Sequence, residues 1–243
     1  MAQHRLLFMC SLLSFTAGLA VASFAGFRTF LPGLLAGAWV TLQITAAGCV
    51  LAAVMGLIGG LSKLYGAWPV RWLAIAYIET FRGTSALVQL FWLFFVLPHF
   101  GVHLSPMAVA IIALGLNVGA YGAEVVRGAI LAVPRGQFEA ATALNMDWVT
   151  LMRRIVLPQA FVLMLPPWGN LFIELLKAST LVSLITISDL TFKAYQINQT
   201  TLRTTEIFTL VLIMYLLISL VITVAIRTLE ARASAGLARG RTR

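Results

Sequence analysis

Leu34 to Leu61 contains no charged side chain, and neither do Leu6 to Phe27 or Ile207 to Ile226. A helix needs about 20 mostly apolar residues to cross the roughly 30 Å hydrocarbon core of a bilayer. All three runs are long enough. Lipid offers no water to bond exposed backbone groups, so unbroken apolar runs of this length cross as helices, whereas barrel strands alternate apolar and polar residues. Composition agrees: hydrophobic residues make up 60% of the chain, against roughly 45–50% in soluble domains. The mean hydropathy is +0.96. The expected fold class is an all-α, polytopic membrane protein.

Taken in order, Leu6 to Phe27 follows His4-Arg5 and reads as a retained helix. Its 22 uncharged residues exceed the roughly 7–15 of a signal peptide's apolar region. Ala20-Val21-Ala22 resembles a cleavage site, so a cleaved leader is the alternative. The chain then emerges outside near Arg28, and Leu34–Leu61 returns it to the cytoplasm at Lys63. Gly33/Gly37 and Gly56/Gly60 have the small-xxx-small spacing that permits close helix approach, although Gly is also simply common in membrane helices.

Trp72–Phe81, with Arg71, Glu79 and Arg82 at its ends, reads as an interfacial cytoplasmic helix. That leaves Ser85–Leu97 as the third crossing and Pro98–Leu104 as an outer loop. A fourth span begins after Ser105, with Pro106 in its first turn, and runs to about Arg127. The fifth, Phe161 to Lys177, reads as interrupted at Pro166-Pro167 and Gly169. Ala178–Thr205 is expected outside, partly helical and partly re-entrant. Ile207–Ile226 is the last span, and a disordered tail with Arg227, Arg232, Arg239, Arg241 and Arg243 follows.

On this topology only Arg28, Lys177, Lys193 and Arg203 of the 17 Lys and Arg residues lie outside. That is the bias expected of cytoplasmic loops. It accounts for the net charge of +9 and the pI near 10.4 without nucleic acid. The chain divides into an N-terminal membrane segment (1–30), a transmembrane core (31–229) and a basic cytoplasmic tail (230–243).

Ala132 to Ala160 is the exception to the apolar pattern. Arg135, Glu139, Asp147, Arg153 and Arg154 fall within it, in a chain where only 10% of residues are charged. Pro134 suits the first turn of a helix through Leu144. Asn145 can stop that helix in the left-handed conformation. Asp147 can then cap a second helix, expected to run until Pro158.

These residues resemble a known element. Glu139-Ala140-Ala141, the break at Asn145, and Ile155-x-Leu157-Pro158 look like the EAA loop of ABC-importer permeases, which docks into the ATPase subunit. Phe81-Arg82-Gly83-Thr84, Gly119-Ala120-Tyr121-Gly122-Ala123-Glu124, Pro166-Pro167-Trp168-Gly169-Asn170 and Leu175-Leu176-Lys177 are similar to the branch for polar amino acids (histidine, glutamine and arginine types) and ectoine-type zwitterions. Asn145 stands where that family usually has Gly, Ser85 where Pro follows Arg-Gly-Thr, Leu171 where an acid often follows Gly-Asn, and Ala178 where Asp often follows Lys.

The resemblance covers about Leu34 to Leu229. It implies a five-helix permease core, with the Leu6–Phe27 segment extra, in a bacterial inner membrane. Implied partners are an ATPase subunit dimer that binds the ATP, a second permease subunit (identical or similar) and an external solute-binding protein. Glu139, Ala140, Ala141, Leu144, Asn145, Ile155, Leu157 and Pro158 would form the coupling loop. Phe138, Ala141, Leu144 and Met146 would lay an apolar flank into the ATPase groove.

The residues themselves offer no catalytic alternative. There is no G-x-x-x-x-G-K-[ST], nucleophile elbow, HExxH or paired-carboxylate cluster, so the chain reads as neither an ATPase nor an enzyme and needs no cofactor of its own. Cys10 and Cys49 lack metal-ligand spacing, and His4, His99 and His103 are scattered. An ion-coupled secondary transporter would be expected to show internal repeats, which are not evident here.

Polar groups at membrane depth normally face protein or water. Asn117, Tyr121 and Glu124 fall at i, i+4 and i+7, on one helical face, and Asn170, Glu174 and Lys177 repeat that spacing. Asn117, Tyr121, Asn170, Glu174 and Lys177 are therefore substrate-path candidates, with pairing of Glu174 and Lys177 as the alternative. Gln89, Glu124 and Arg127 are candidates for gate or interhelix contacts.

Overall fold

The computed structural model describes residues 27–240. The run Leu6–Phe27 lies outside these apart from its last residue, as do His4, Arg5 and Cys10. Helix α1 spans Phe27–Tyr65 and α2 Trp68–Gly83. Helix α3, Ala86–Phe91, continues through a π turn at Trp92–Val96 and a 3-10 turn at Leu97–Phe100. Helix α4 is Pro106–Leu131 and α5 Arg135–Ala143. Helix α6, Trp148–Leu151, passes through a π turn at Met152–Val156 into α7, Leu157–Ala178. A 3-10 stretch at Ser179–Ile185 precedes α8, Leu190–Thr201, and α9, Thr204–Gly240. No strand occurs among the described residues.

Glycine contacts fix the helix directions. Gly115 meets Leu51, Gly56 meets Gly122, and Gly60 meets Ala123 and Val126. Residue numbers rise together along both helices, so α1 and α4 are parallel. Against α7 they run oppositely: Gly48 meets Leu175 and Gly56 meets Trp168. A methyl group at Gly56 would stand 2.6 Å from the Trp168 ring, and Gly122 closes on the same ring from the α4 side. The glycines let three helices close on one indole, and here the small-xxx-small spacing does serve close approach.

Because α1 and α4 are parallel, the chain between them must recross the membrane. Among the described residues, four segments are long and apolar enough to cross alone: Thr29–Tyr65, Pro106–Leu131, Trp148–Ile185 and Thr204–Ser234. The fifth crossing is Trp68–Gly83 with Ala86–Phe100, which meet at 106°. Five spans match the count expected after Leu6–Phe27, but the division within this one differs from the sequence reading. Ala86–Phe100 spans only about 22 Å at 1.5 Å per residue, short of the bilayer core. The C-terminal end of α2 therefore enters membrane depth, where Asn117 of α4 reaches the Phe81 carbonyl. Trp72–Phe81 is not wholly interfacial, and Arg82 is not a cytoplasmic surface charge.

Three other expectations are corrected. Helix α7 runs unbroken through Pro166 and Pro167: each proline removes one N–H rung, and the intact turns on both sides keep the helix continuous. Pro158 does not end the loop's second helix, because the π turn before it shifts the bonding register and leads into α7. The basic tail is helical as far as Gly240. Its Ala, Leu, Arg and Glu are strong helix formers that extend an already nucleated helix.

The main core gathers on α4, with Val109, Leu114, Val118 and Val126 against Ile44, Ala52 and Trp168. A second cluster joins Phe30 and Leu34 of α1 to Leu190, Ala194, Ile207 and Leu210 at the outer end.

Candidate coupling loop and translocation surface

The loop between α4 and α7 is built by its caps. Pro134 precedes α5 with extended geometry. Asn145 then takes the left-handed conformation, φ 51°, while the Met146 N–H bonds to the Ala141 carbonyl at 3.0 Å. Asp147 accepts the Thr150 N–H at 3.0 Å and caps α6. Hydrogen bonding from Thr150 holds its carboxyl below the usual aspartate range. Asn145 and Asp147 occupy the turn and cap positions their chemistry suggests.

The exposed face of α5 differs from the expected one. Ala141 is only 1% exposed, and Phe138, Met146 and Ile155 pack on the protein's own core. That flank is therefore not free to enter a partner's groove. The open side carries Glu139, Ala140 and Leu144, with Trp148 and Val149 beside them. Leu157 is also exposed, and Pro158 sits half-buried in the first turn of α7. Trp148 meets Tyr65 edge-on at 5.2 Å, tying the loop to the inner end of α1. Nothing in the spacing of two lone aromatics marks that pair in the sequence.

Above the loop, Glu124 receives the Lys63 ammonium at 2.6 Å and Arg127 Nε at 2.8 Å. Glu79 lies 3.6 Å from the same Lys63 nitrogen. One acid on α4 thus joins α1 and α4, and Lys63 extends the link to α2. Lys63 and Glu79 were not singled out from the sequence, because their role depends on helices meeting across long separations.

The candidate path residues fall into two groups. Asn117 is buried; its amide donates to the Phe81 carbonyl at 3.0 Å and to Gln89 Oε1 at 3.1 Å. Gln89 in turn donates to Phe81 O at 2.9 Å and to the Thr84 hydroxyl at 2.6 Å. The Tyr121 hydroxyl reaches the Arg82 carbonyl at 3.4 Å, and the Arg82 guanidinium stands 5.5 Å from the Tyr121 ring centre. This group holds the α2–α3 bend, so the Phe81-Arg82-Gly83-Thr84 stretch is the corner that α4 grips.

Asn170, Glu174 and Lys177 form the second group. They lie exposed along one stripe of α7, continuing from Leu163, Pro166 and Pro167. Glu174 and Lys177 make no ion pair with each other, and no hydrogen bond among the described residues links this stripe to Asn117 or Tyr121. A cavity of about 440 Å³ lies beside Lys177, walled mainly by apolar residues of α9 and by Thr180, Thr191, Tyr215 and Ser219.

Comparison with known proteins gives this geometry its family. Residues 48–235 match the family described as "Binding-protein-dependent transport system inner membrane component". The chain is 48% identical over 201 residues to the probable amino-acid ABC transporter permease protein y4tF of Sinorhizobium fredii, covering 80% of this chain and 84% of that protein. It is 38% identical to the L-cystine transport system permease TcyB of Bacillus subtilis, covering 79% and 82%. Identity to the glutamine transport system permease GlnP of Escherichia coli is 35%, covering 83% and 93%.

Among solved structures, a crystal structure of an amino acid ABC transporter with histidines superposes with a TM-score of 0.80 at 35% identity, covering 86% of this chain and 98% of that one. The MetNI methionine ABC transporter shares the fold, with a TM-score of 0.71 at 21% identity, covering 84% and 98%. With five membrane crossings among its described residues and a capped polar loop before the long α7, the chain belongs to the family of binding-protein-dependent transport system inner membrane components, the permease subunits of ABC importers.

Proposed function

We propose that this permease subunit carries polar amino acids, or amino-acid-like zwitterions such as compatible solutes, across a bacterial inner membrane. The observation that carries this reading is the α7 stripe: an amide, a carboxylate and an ammonium exposed within the apolar span Trp148–Ile185. An ionisable group at membrane depth costs about 2.5–3.5 kcal/mol on insertion scales, so it is retained where it faces protein or a water-filled path. Glu174 would meet a substrate's amine and Lys177 its carboxylate. Permease relatives named for cystine and glutamine support the same class.

The family implies an ATPase partner and a solute-binding protein. The path would form against a second permease subunit, either another copy or a similar chain, with the exposed α7 stripe facing it. Asn117, Tyr121 and Gln89 would shape the path indirectly by holding the α2–α3 corner, and Glu124 and Arg127 would brace its inner end. Glu139, Ala140 and Leu144 would bear directly on the ATPase, with Ala141, Asn145, Ile155, Leu157 and Pro158 fixing the loop's shape.

The test is uptake of a panel of labelled amino acids into proteoliposomes that hold the full complex and its binding protein. Glu174→Ala and Lys177→Ala are each expected to lower uptake about tenfold or more while the complex still assembles. Unchanged uptake by both variants would remove the stripe from the path.

A further inference from the structure

Asp189 stands between the last two apolar spans and is fully buried. Its Oδ1 accepts the Phe192 N–H at 2.8 Å, capping α8, but its Oδ2 has no hydrogen-bond partner among the described residues. Hydroxyl groups from several elements crowd this end of α8. The Leu190 N–H donates to Thr41 Oγ1 of α1 at 3.1 Å, and Thr191 Oγ1 and the Tyr215 hydroxyl of α9 lie 3.2 Å apart. Ser179 of the 3-10 stretch is buried. Thr45, one turn beyond Thr41 on α1, carries a second buried oxygen without a partner.

The backbone at Asp189 is held against α1. A methyl group at Gly37 would stand 2.7 Å from the Asp189 carbonyl oxygen, so α1 and α8 are in backbone contact here. Nor is a balancing cation bound to it: none of the ion pairs among the described residues includes Asp189. On its own helix, Lys193 is directed to Gln196 at 3.3 Å. Helix α7 brings Lys177 and α9 brings Tyr215, and both line the neighbouring cavity. Helix α1 carries no ionisable side chain between Thr29 and Thr45.

A carboxylate buried without a counter-charge is disfavoured, and hydrogen bonding from Phe192 and Thr191 offsets only part of the cost at Asp189. Buried polar oxygens are almost always partnered, so the unpartnered Asp189 Oδ2 points to a ligand. We infer that Asp189 Oδ2 is a monovalent-cation site, taking H⁺ or Na⁺ with the surrounding hydroxyl oxygens as further ligands, and that occupancy holds α8 against α1. A mainly apolar cavity of about 440 Å³ lies beside Thr191 and Tyr215. Burial pushes the Asp189 carboxyl up to about 6. An acid raised in this way is stabilised in its neutral form, so its penalty on folding grows as pH rises from the unfolded value towards 6 and is complete above it.

Hydrogen exchange of the α8 amides in the complex with its ATPase subunit, corrected for intrinsic rates, tests the site. The comparison is pH 8 against pH 5, and Na⁺ against N-methylglucamine at pH 8. Slowing of about tenfold is expected in acid, in Na⁺ or in both. Protection by acid alone identifies the occupant as a proton, and protection by Na⁺ at pH 8 identifies sodium. Asp189→Asn should abolish either response. No response in the wild type, or the same response in Asp189→Asn, overturns the site. If Asp189→Asn does not assemble, the wild type still decides: a response confined to Leu190–Thr201 supports the site, and an equal response in the α5 amides overturns it.

Discussion

Glu124 is the residue on which the inner ends of α1 and α4 converge. Replacing it with Ala leaves Arg127 without a counter-charge and Lys63 with only Glu79, at 3.6 Å. Stability should fall by about 1–3 kcal/mol, the cost of orphaning partly buried charged donors. Thermal unfolding of the purified chain measures this, and Glu124→Gln should recover part of the loss by keeping a hydrogen-bond acceptor. Asp147 gives a second residue-level expectation. Its carboxyl is depressed in the folded state, so the stability it adds is present above the unfolded aspartate value of about 3.9 and is lost only as pH falls through its lower folded value. Protection of the Thr150 amide, corrected for intrinsic exchange rates, should therefore be unchanged between pH 8 and pH 5, whereas Asp147→Ala should lower it throughout. Both the cap and the left-handed Asn145 were legible in the sequence because they act on backbone within a few residues. The partners of Asn117 were not. Its spacing with Tyr121 identified a shared face, but only the fold shows that Phe81, Arg82 and Gln89 occupy it, many residues away.

At the level of elements, α5 separates its own packing from its outward face. Phe138 and Ala141 turn inward, and Leu144, 75% exposed, turns outward with Glu139 and Ala140. Glu139→Lys and Leu144→Asp should each abolish co-purification of the ATPase subunit with little effect on membrane insertion. Phe138→Asp should instead destabilise the permease itself. Normal co-purification of both outward variants would remove this face from the docking surface. Helical periodicity located the amphipathic helix, but it could not tell whether the apolar flank met a partner or the chain's own core, since both bury the same residue types. The two prolines of α7 misled for a related reason. Proline removes a rung from any helix, yet whether the helix breaks depends on the turns and neighbours around it.

For the whole molecule, the apolar runs and the Lys and Arg bias predicted six crossings, of which Leu6–Phe27 lies outside the described residues, and the parallel course of α1 and α4 requires a return crossing between them, which makes five among the described ones. The exception was the bent crossing. A span split into two helices at 106° has no single run of about 20 apolar residues for hydropathy to find. The central claim is that solute moves through this chain only when a separate subunit hydrolyses ATP and drives the α5 loop. Proteoliposomes holding the permease, its ATPase subunit and binding protein test that most directly. Uptake should require ATP, stop with a non-hydrolysable analogue and vanish without the ATPase subunit, whereas uptake by the permease chain alone down an ion gradient would contradict it.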